Sequence, residues 1–373
     1  MLSSPLASTL MMRFAERTGI MSPSGPTRRY LWTDAFAVCN FIELRRDDLA
    51  LALVDRVHHT LGQHRPDDAR TGWISGLDAE TGEAHPTLGG LRIGKPLAER
   101  GPNERIDERL EWERDGQYFH YLTKWMHALD QLARATSQPI FNTWAGELVE
   151  AAYRTFVHGS PARMYWKMSI DLSRPQVASM GQHDPLDGFV TCLELSATAA
   201  ELGAGRLNLG DATAAFASMS QPGSLATTDP LGIGGLLVDA YRLAQLMTPQ
   251  RGLGLIDMLL ATAAIGLSRY SATADLGSKA AHRLAFRELG LAIGLEAASR
   301  IPEAAARAGI DRYLSLRDEI DGFWLQPRHR TTRTWMEHAD INDVMLATSL
   351  LPDGFLRRHR AGAGRSSLVY SLL

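Results

Sequence analysis

The sequence repeatedly starts apolar helices with acidic residues, and this habit limits the folds open to it. The clearest case runs from His183 to Leu195. There Asp184 suits an N-cap, Pro185 suits the first helical position, and Asp187 follows about one turn in, beside the positive end of the helix. Asp34-Ala35-Phe36-Ala37-Val38-Cys39 repeats the spacing of Asp187, Phe189 and Cys192. Ala339-Asp340-Ile341-Asn342-Asp343-Val344 repeats the paired carboxylates, and Asp229-Pro230-Leu231 repeats the cap and proline. Such helices, alternating with more polar ones, predict a helical toroid whose helix starts converge on one polar pocket.

Apolar inner segments begin near Asp34, Tyr121, Asp187, Leu231, Leu284 and Asp343. The gaps between them average about sixty residues, enough for two helices and two connections. The expectation is an all-α chain, a single (α/α)6 barrel of six helical hairpins over residues 29–356. Irregular spacing argues against an α-solenoid, whose repeats keep a near-constant period. Between about 65 and 117 the helical signal lapses into a Gly-, Pro- and charge-rich insertion containing Gly89-Gly90-Leu91-Arg92-Ile93-Gly94-Lys95-Pro96, which suits a lid or binding loop. Alternation from Arg163 to Asp171 predicts a short strand at the same decorated end. Residues 1–28, which include the breaker cluster Ser22-Pro23-Ser24-Gly25-Pro26, are expected to form a loose arm, and residues 357–373 a basic tail.

With 39 basic and 42 acidic residues there is no electrostatic case for a nucleic-acid or membrane partner. No stretch approaches the roughly 20 apolar residues of a membrane span, and the first ten residues lack a basic n-region, so the expected location is the cytoplasm. Cys39 and Cys192 fall in apolar helices and read as buried thiols. The chain lacks a P-loop, His-Glu-x-x-His, Cys-x-x-Cys and Gly-x-Ser-x-Gly, so no cofactor or metal is expected. Gly232-Ile233-Gly234-Gly235 has no preceding strand and reads as close helix packing rather than dinucleotide binding. The oligomeric state is left open.

Capping explains Asp184 and Asp340 better than it explains Asp187 and Asp343, which lie one turn deeper behind a cap already in place. Asp34, Asp187 and Asp343 are therefore the candidate acid and base. His183 and His338 stand at carboxylate-bearing helix starts and can move protons near neutral pH. Trp32, Trp125, Trp335 and Tyr121 offer flat faces for a polyhydroxylated ring, and Lys124, with Asp184 and Asp340, offers hydrogen bonds. Each has a structural alternative: core packing for an aromatic, capping for an Asp, a snorkelling stem for the Lys.

On its helix alternation and acidic helix starts, the chain resembles the six-hairpin glycosidase-like superfamily over about 29–356. The resemblance implies two carboxyl groups, one protonating the leaving oxygen and one activating water. The expected function is thus glycoside hydrolysis of a small-molecule or oligosaccharide substrate. The chain is also similar to the N-acylglucosamine 2-epimerase branch, through Arg29-x-x-Trp32 and Trp335-Met336-Glu337-His338. That similarity implies His338 as the proton-transfer residue at a sugar C2. It departs from the branch where an arginine is expected one turn after the opening Trp, a place held by Phe36. A noncatalytic toroid that binds a glycan or a protein is the third expectation.

Overall fold

A computed structural model describes residues 3–21, 28–203, 205, 207–220, 225–247 and 249–358. The chain is mostly helical with a few short strands. First come α1 (Ser3–Arg17), α2 (Leu31–Glu43) and α3 (Asp47–Leu61). Every residue of α2 from Leu31 to Ile42 is buried, as a helix with neighbours on all sides requires. In α3 burial is confined to one face, through Leu49, Leu53, Val57 and Leu61. This is the predicted pairing of an apolar helix with an amphipathic one.

The insertion carries only two short helices, α4 (Ala79–Ala84) and α5 (Glu108–Glu111), and ends in strand β1 (Gln117–Tyr118), which runs directly into α6 (Phe119–Thr136). After α7 (Pro139–Phe156) come β2 (Val157–His158), β3 (Arg163–Met164), β4 (Lys167–Met168) and β5 (Pro175–Val177). The single strand expected over 163–171 is thus two strands in two sheets: β3 pairs with β2, while β4 lies between β1 and β5. Because β1 feeds α6, the small sheet is fastened to the end at which α6 starts.

The remaining helices are α8 (Asp184–Leu202), α9 (Gly210–Met219), α10 (Pro230–Leu246), α11 (Pro249–Thr273), α12 (Ala285–Ser299), α13 (Pro302–Arg307), α14 (Ser315–Trp324), α15 (Arg333–Glu337), α16 (Ala339–Leu350) and α17 (Asp353–Leu356). The outer return expected over 304–320 is broken into α13 and α14, with Gly309 at φ 69° between them. Packing follows a cyclic order: α2 against α6, α6 against α8, α8 against α10, α10 against α12, α12 against α16, and α16 against α2. Outside these, α3 packs on α2, α7 on α6, α9 on α8, α11 on α10 and α14 on α12.

The expected loose arm is a correction. Helix α1 packs against α16 and buries Ala7, Leu10, Met11, Phe14 and Ala15. It supplies the outer partner that α16 would otherwise lack, so the breaker cluster separates two packed helices rather than shedding an arm. Residues 359–373 of the expected basic tail lie outside the described residues.

Helix starts adjoin helix starts. The Tyr30 and Tyr121 hydroxyls are 2.5 Å apart, Lys124 meets Asp187 at 2.6 Å, Arg287 meets Asp229 at 2.6 Å, and the Phe286 N–H donates to Asn342 Oδ1 at 3.1 Å. The inner helices therefore run in one direction. At their far end α17 touches α2, α6 and α10. Phe355 stacks on Phe36 at 4.4 Å, while Gln131 and Gln245 donate to the Gly354 and Leu356 carbonyls.

Helices α10 and α12 approach closely where Gly234 lies against Gly290 and Gly294. A Cβ on Gly234 would overlap the Gly290 carbonyl, so the glycine run serves backbone approach, as its lack of a preceding strand suggests. Gly234→Ala is expected to lower stability by about 1 to 3 kcal/mol, read by urea denaturation. An unchanged midpoint would show that the two helices separate without cost. Both cysteines are free and buried, and among the described residues no helix is long and apolar enough to cross a membrane.

Candidate active site

Three helices contribute a buried polar network that runs from the start of α8 inward to α17 at the far end. On α8, Asp187, Thr191, Glu194 and Thr198 are all buried and recur at helical spacing, a polar stripe on an inward face. Arg242 of α10, 2% exposed, meets this stripe with every donor it has. Its Nε donates to Glu194 Oε1 at 3.0 Å, and Nη2 to Glu194 Oε2 at 2.6 Å and Thr191 Oγ1 at 3.0 Å. Its Nη1 donates to Asp187 Oδ1 at 2.8 Å and Asp239 Oδ1 at 2.9 Å. From α6, Lys124 and Thr123 reach Asp187 Oδ2 at 2.6 and 2.5 Å, and His127 bridges Glu194 to the Phe355 carbonyl. A buried guanidinium is tolerable only when its planar fork is matched this completely.

The network sorts its carboxyl groups. Burial alone would raise Asp187, but the Lys124 and Arg242 charges outweigh it and hold Asp187 well below the usual carboxylate range. Glu194 is held down in the same way by Arg242 and His127. Burial, reinforced by the charge on Asp187, pushes Asp239 up to about 6 and Asp184 up to about 7. Asp184 does not cap its helix, contrary to the sequence expectation: His183 precedes the first turn, and no side chain caps it. The Asp184 carboxyl is instead enclosed beside the Gly181 backbone, with Oδ2 lacking a hydrogen-bond partner among the described residues. Two carboxyls one turn apart are thus driven in opposite directions, Asp184 up and Asp187 down.

Around this pair lies an aromatic and imidazole rim. His120 stacks on Tyr118 at 5.4 Å and meets Tyr121 at 4.6 Å and Trp166 at 6.2 Å. Its Nδ1 is enclosed without a partner among the described residues, and burial and Lys124 lower its pKa to about 3, so the ring is neutral. His183 donates through Nε2 to the Leu225 carbonyl at 2.8 Å, and burial lowers its pKa, so Nδ1 of the neutral ring is left as an acceptor. Asp229 caps α10 through the Gly232 N–H and also holds Arg287.

The expected catalytic set is only partly assembled. Asp187, Asp184, Lys124, Tyr121 and His183 gather at the rim, whereas Asp34 and Asp343 share no hydrogen-bond partner with Asp187. Asp34 accepts from its own Tyr30 N–H at 3.1 Å and faces Arg29, which in turn donates to the Thr18 carbonyl. Asp343 and Asp340 are both held by Arg17 of α1, at 2.9 and 2.8 Å. Asp340 and Asp343 thus fasten α1 through Arg17, and Asp34 is tied through Arg29 to the residue that follows α1, so none of the three pairs with the groups that hold Asp187. His338 is exposed at the start of α16, 6.4 Å from the Phe286 ring. Trp125 and Trp335 are core residues rather than sugar platforms: Trp125 is fully buried and donates to His58 of α3, and Trp335 packs on Trp324 of α14. Trp32, 6% exposed, lies against Phe36 at 4.5 Å and so joins the Phe36–Phe355 column.

Sequence reasoning overlooked Thr123, Thr191, Glu194, Asp239 and Arg242. Their signal was present as polar residues at i, i+4 and i+7 from Asp187, and as the Asp239/Arg242 pair inside apolar α10. Elsewhere, on the outer face between α3 and α7, a cavity of about 190 Å³ is lined by Trp73, Phe141 and Trp144. Asp55, His59 and Glu83 stand at its edge, but both His59 nitrogens are already hydrogen-bonded, to Asp55 and Glu83. They form a clamp between α3 and α4.

The Asp184 shift carries a stability consequence. A carboxyl raised in the folded state contributes stability that is complete below its unfolded value of about 4 and is lost as pH rises through the folded value of about 7. His58 and His120, lowered by burial, contribute in the opposite sense over part of that range, so total stability is not the readout. The readout is the difference in unfolding free energy between wild type and Asp184→Asn. It is expected to fall from about pH 4 to 7 and level off above; a flat difference curve would mean that Asp184 titrates normally.

No family model, curated protein or solved structure matches the chain.

Proposed function

We propose that this chain is a carbohydrate-active enzyme, a glycoside hydrolase on a six-hairpin (α/α)6 toroid, working where the inner helices begin. The cyclic order of helix packing and the common direction of the helices support the toroid. The observation that carries the chemistry is Asp184, buried, its Oδ2 without a partner among the described residues and its pKa raised to about 7, one turn before the ionised Asp187. Two carboxyl groups whose surroundings drive their pKa values apart are the signature of an acid and an ionised partner. Asp184 is the proton donor to the leaving oxygen. Asp187, already neutralised by Lys124 and Arg242, is a poor base; it positions Lys124, whose remaining N–H groups have no partner among the described residues and can hold a substrate hydroxyl. Asp229, on the neighbouring helix start, is partly exposed and paired with one cation, Arg287 at 2.6 Å, against the two that hold the buried Asp187, and is the candidate to activate water. The Tyr118, His120, Tyr121 and Trp166 rings supply the flat faces a sugar needs.

A second reading, sugar epimerisation or isomerisation, draws on His120 with its unpartnered Nδ1 and on the exposed His338. A ring with a pKa near 3 is a weak base at neutral pH, which is why hydrolysis leads. A panel of aryl glycosides and free aldoses separates the two. Aglycone release that Asp184→Asn abolishes supports hydrolysis. Solvent deuterium uptake at C2 that depends on His338 or His120 supports the second reading, and binding without turnover would leave only a glycan-binding toroid.

A further inference from the structure

We propose that Trp112 is an outer substrate platform, so that the site takes a chain of several sugar rings rather than one; this rests on the carbohydrate reading above. Trp112 follows α5 in the insertion and is 52% exposed, a large apolar face left in water. It is not a stray surface residue. Its ring meets Trp166 edge-to-face at 5.0 Å, Trp166 lies 5.4 Å from Tyr118 and 6.2 Å from His120, and His120 lies 4.6 Å from Tyr121. An unbroken aromatic tract thus runs from solvent to the helix that bears Lys124.

The presentation of Trp112 is built. Lys167, fully buried and next in sequence to Trp166, donates to the Glu111 carbonyl at 2.7 Å and to the Arg114 carbonyl at 2.9 Å. Those two carbonyls bracket Trp112 on either side. Arg100 fixes the same turn through Glu111 Oε1 at 2.7 Å. The buried ammonium is compensated by these two carbonyls and by the Glu111 carboxylate at 3.5 Å, so the turn is held in one shape, and a fixed indole loses little freedom when a ring settles on it. The occupant that fits is a further ring of the same polyhydroxylated chain whose reacting linkage lies at Asp184, because the tract is continuous with that site.

The test is calorimetric titration of the full chain with cello-, xylo-, malto- and chito-oligosaccharides of two to six rings, alongside single-ring 4-nitrophenyl glycosides. In wild type, affinity is expected to rise with chain length. Trp112→Ala should remove that increment, on the order of tenfold in Kd, and leave binding and turnover of single-ring glycosides unchanged, while Trp112→Tyr retains most of the increment. A length increment that survives Trp112→Ala, or no increment in wild type with single-ring turnover that still depends on Asp184, overturns the platform and spares the hydrolase. Loss of self-association in Trp112→Ala, without a change in sugar binding, would make the residue part of an interface instead. No sugar binding of any kind would overturn the platform together with the reading beneath it.

Discussion

Replacing Arg242 with Met is expected to lower the unfolding free energy by about 3 to 5 kcal/mol, the largest stability effect of any single change proposed for this chain. All five guanidinium N–H groups are bound, and Met would fill most of the volume while leaving Glu194, Asp187 and Asp239 without their shared cation. Packing is nearly conserved, so the loss reports uncompensated buried charge rather than a cavity. Arg242→Lys should recover only part of it, because three donors on a flexible stem cannot reproduce a planar fork that serves four side chains. Double replacement of Arg242 and Glu194 by Met and Leu should cost less than Arg242→Met alone, since it removes the carboxylate that takes two of the five guanidinium bonds and leaves only Asp187 and Asp239 without the cation. Urea denaturation followed by circular dichroism checks all three. A loss under about 1 kcal/mol for Arg242→Met would mean that water reaches the network and screens it.

Asp184→Asn is expected to reduce turnover by about 10² to 10⁴-fold while the chain stays folded. Asparagine keeps the size of the side chain but has no acidic proton to give. Wild-type kcat/KM should fall as pH rises through about 7, because the protonated form is the active one and Asp184 is lost as an acid there. By contrast Asp343→Asn should leave turnover within about threefold and weaken the anchorage of α1, because Asp343 meets Arg17 rather than the rim. The expected cost is about 1 to 3 kcal/mol for a charge-assisted pair that is buried on one side. Initial rates on an activated aryl glycoside, paired with denaturation midpoints, separate the two carboxylates. Loss of turnover in Asp343→Asn with retention in Asp184→Asn would reverse their roles.

The alternation of apolar and amphipathic helices was legible because it depends on local periodicity, and α2, α3, α6, α7 and α10 begin within a few residues of where that periodicity places them. That neighbouring helices start side by side was legible too, from proline and acidic residues at the first turns. Which carboxylate faces inward was not. Asp34, Asp187 and Asp343 stand in similar local patterns, and only the rotation of each helix against its neighbours sends Asp187 to Lys124 and sends Asp343 to Arg17. For α16 the neighbour that takes up Asp343 is α1, a segment expected to be loose because its breaker cluster carries no information about what the preceding helix packs on. The tryptophans misled for a related reason. Trp125 lies one residue from Lys124, yet a one-residue step on a helix turns the side chain by about 100°, from the rim to His58 in the outer layer. The buried stripe from Asp187 to Thr198 was visible as spacing, but its meaning required the cation that arrives from α10.

The most direct measurement is the titration of the Asp184 carboxyl itself, by carbon-detected magnetic resonance of the chain labelled at aspartate carboxyl carbons and assigned by comparison with Asp184→Asn. A resonance with a midpoint near 7, absent from the variant, is the predicted result. A midpoint in the ordinary carboxylate range of about 4 would remove the proton donor and with it the proposed chemistry.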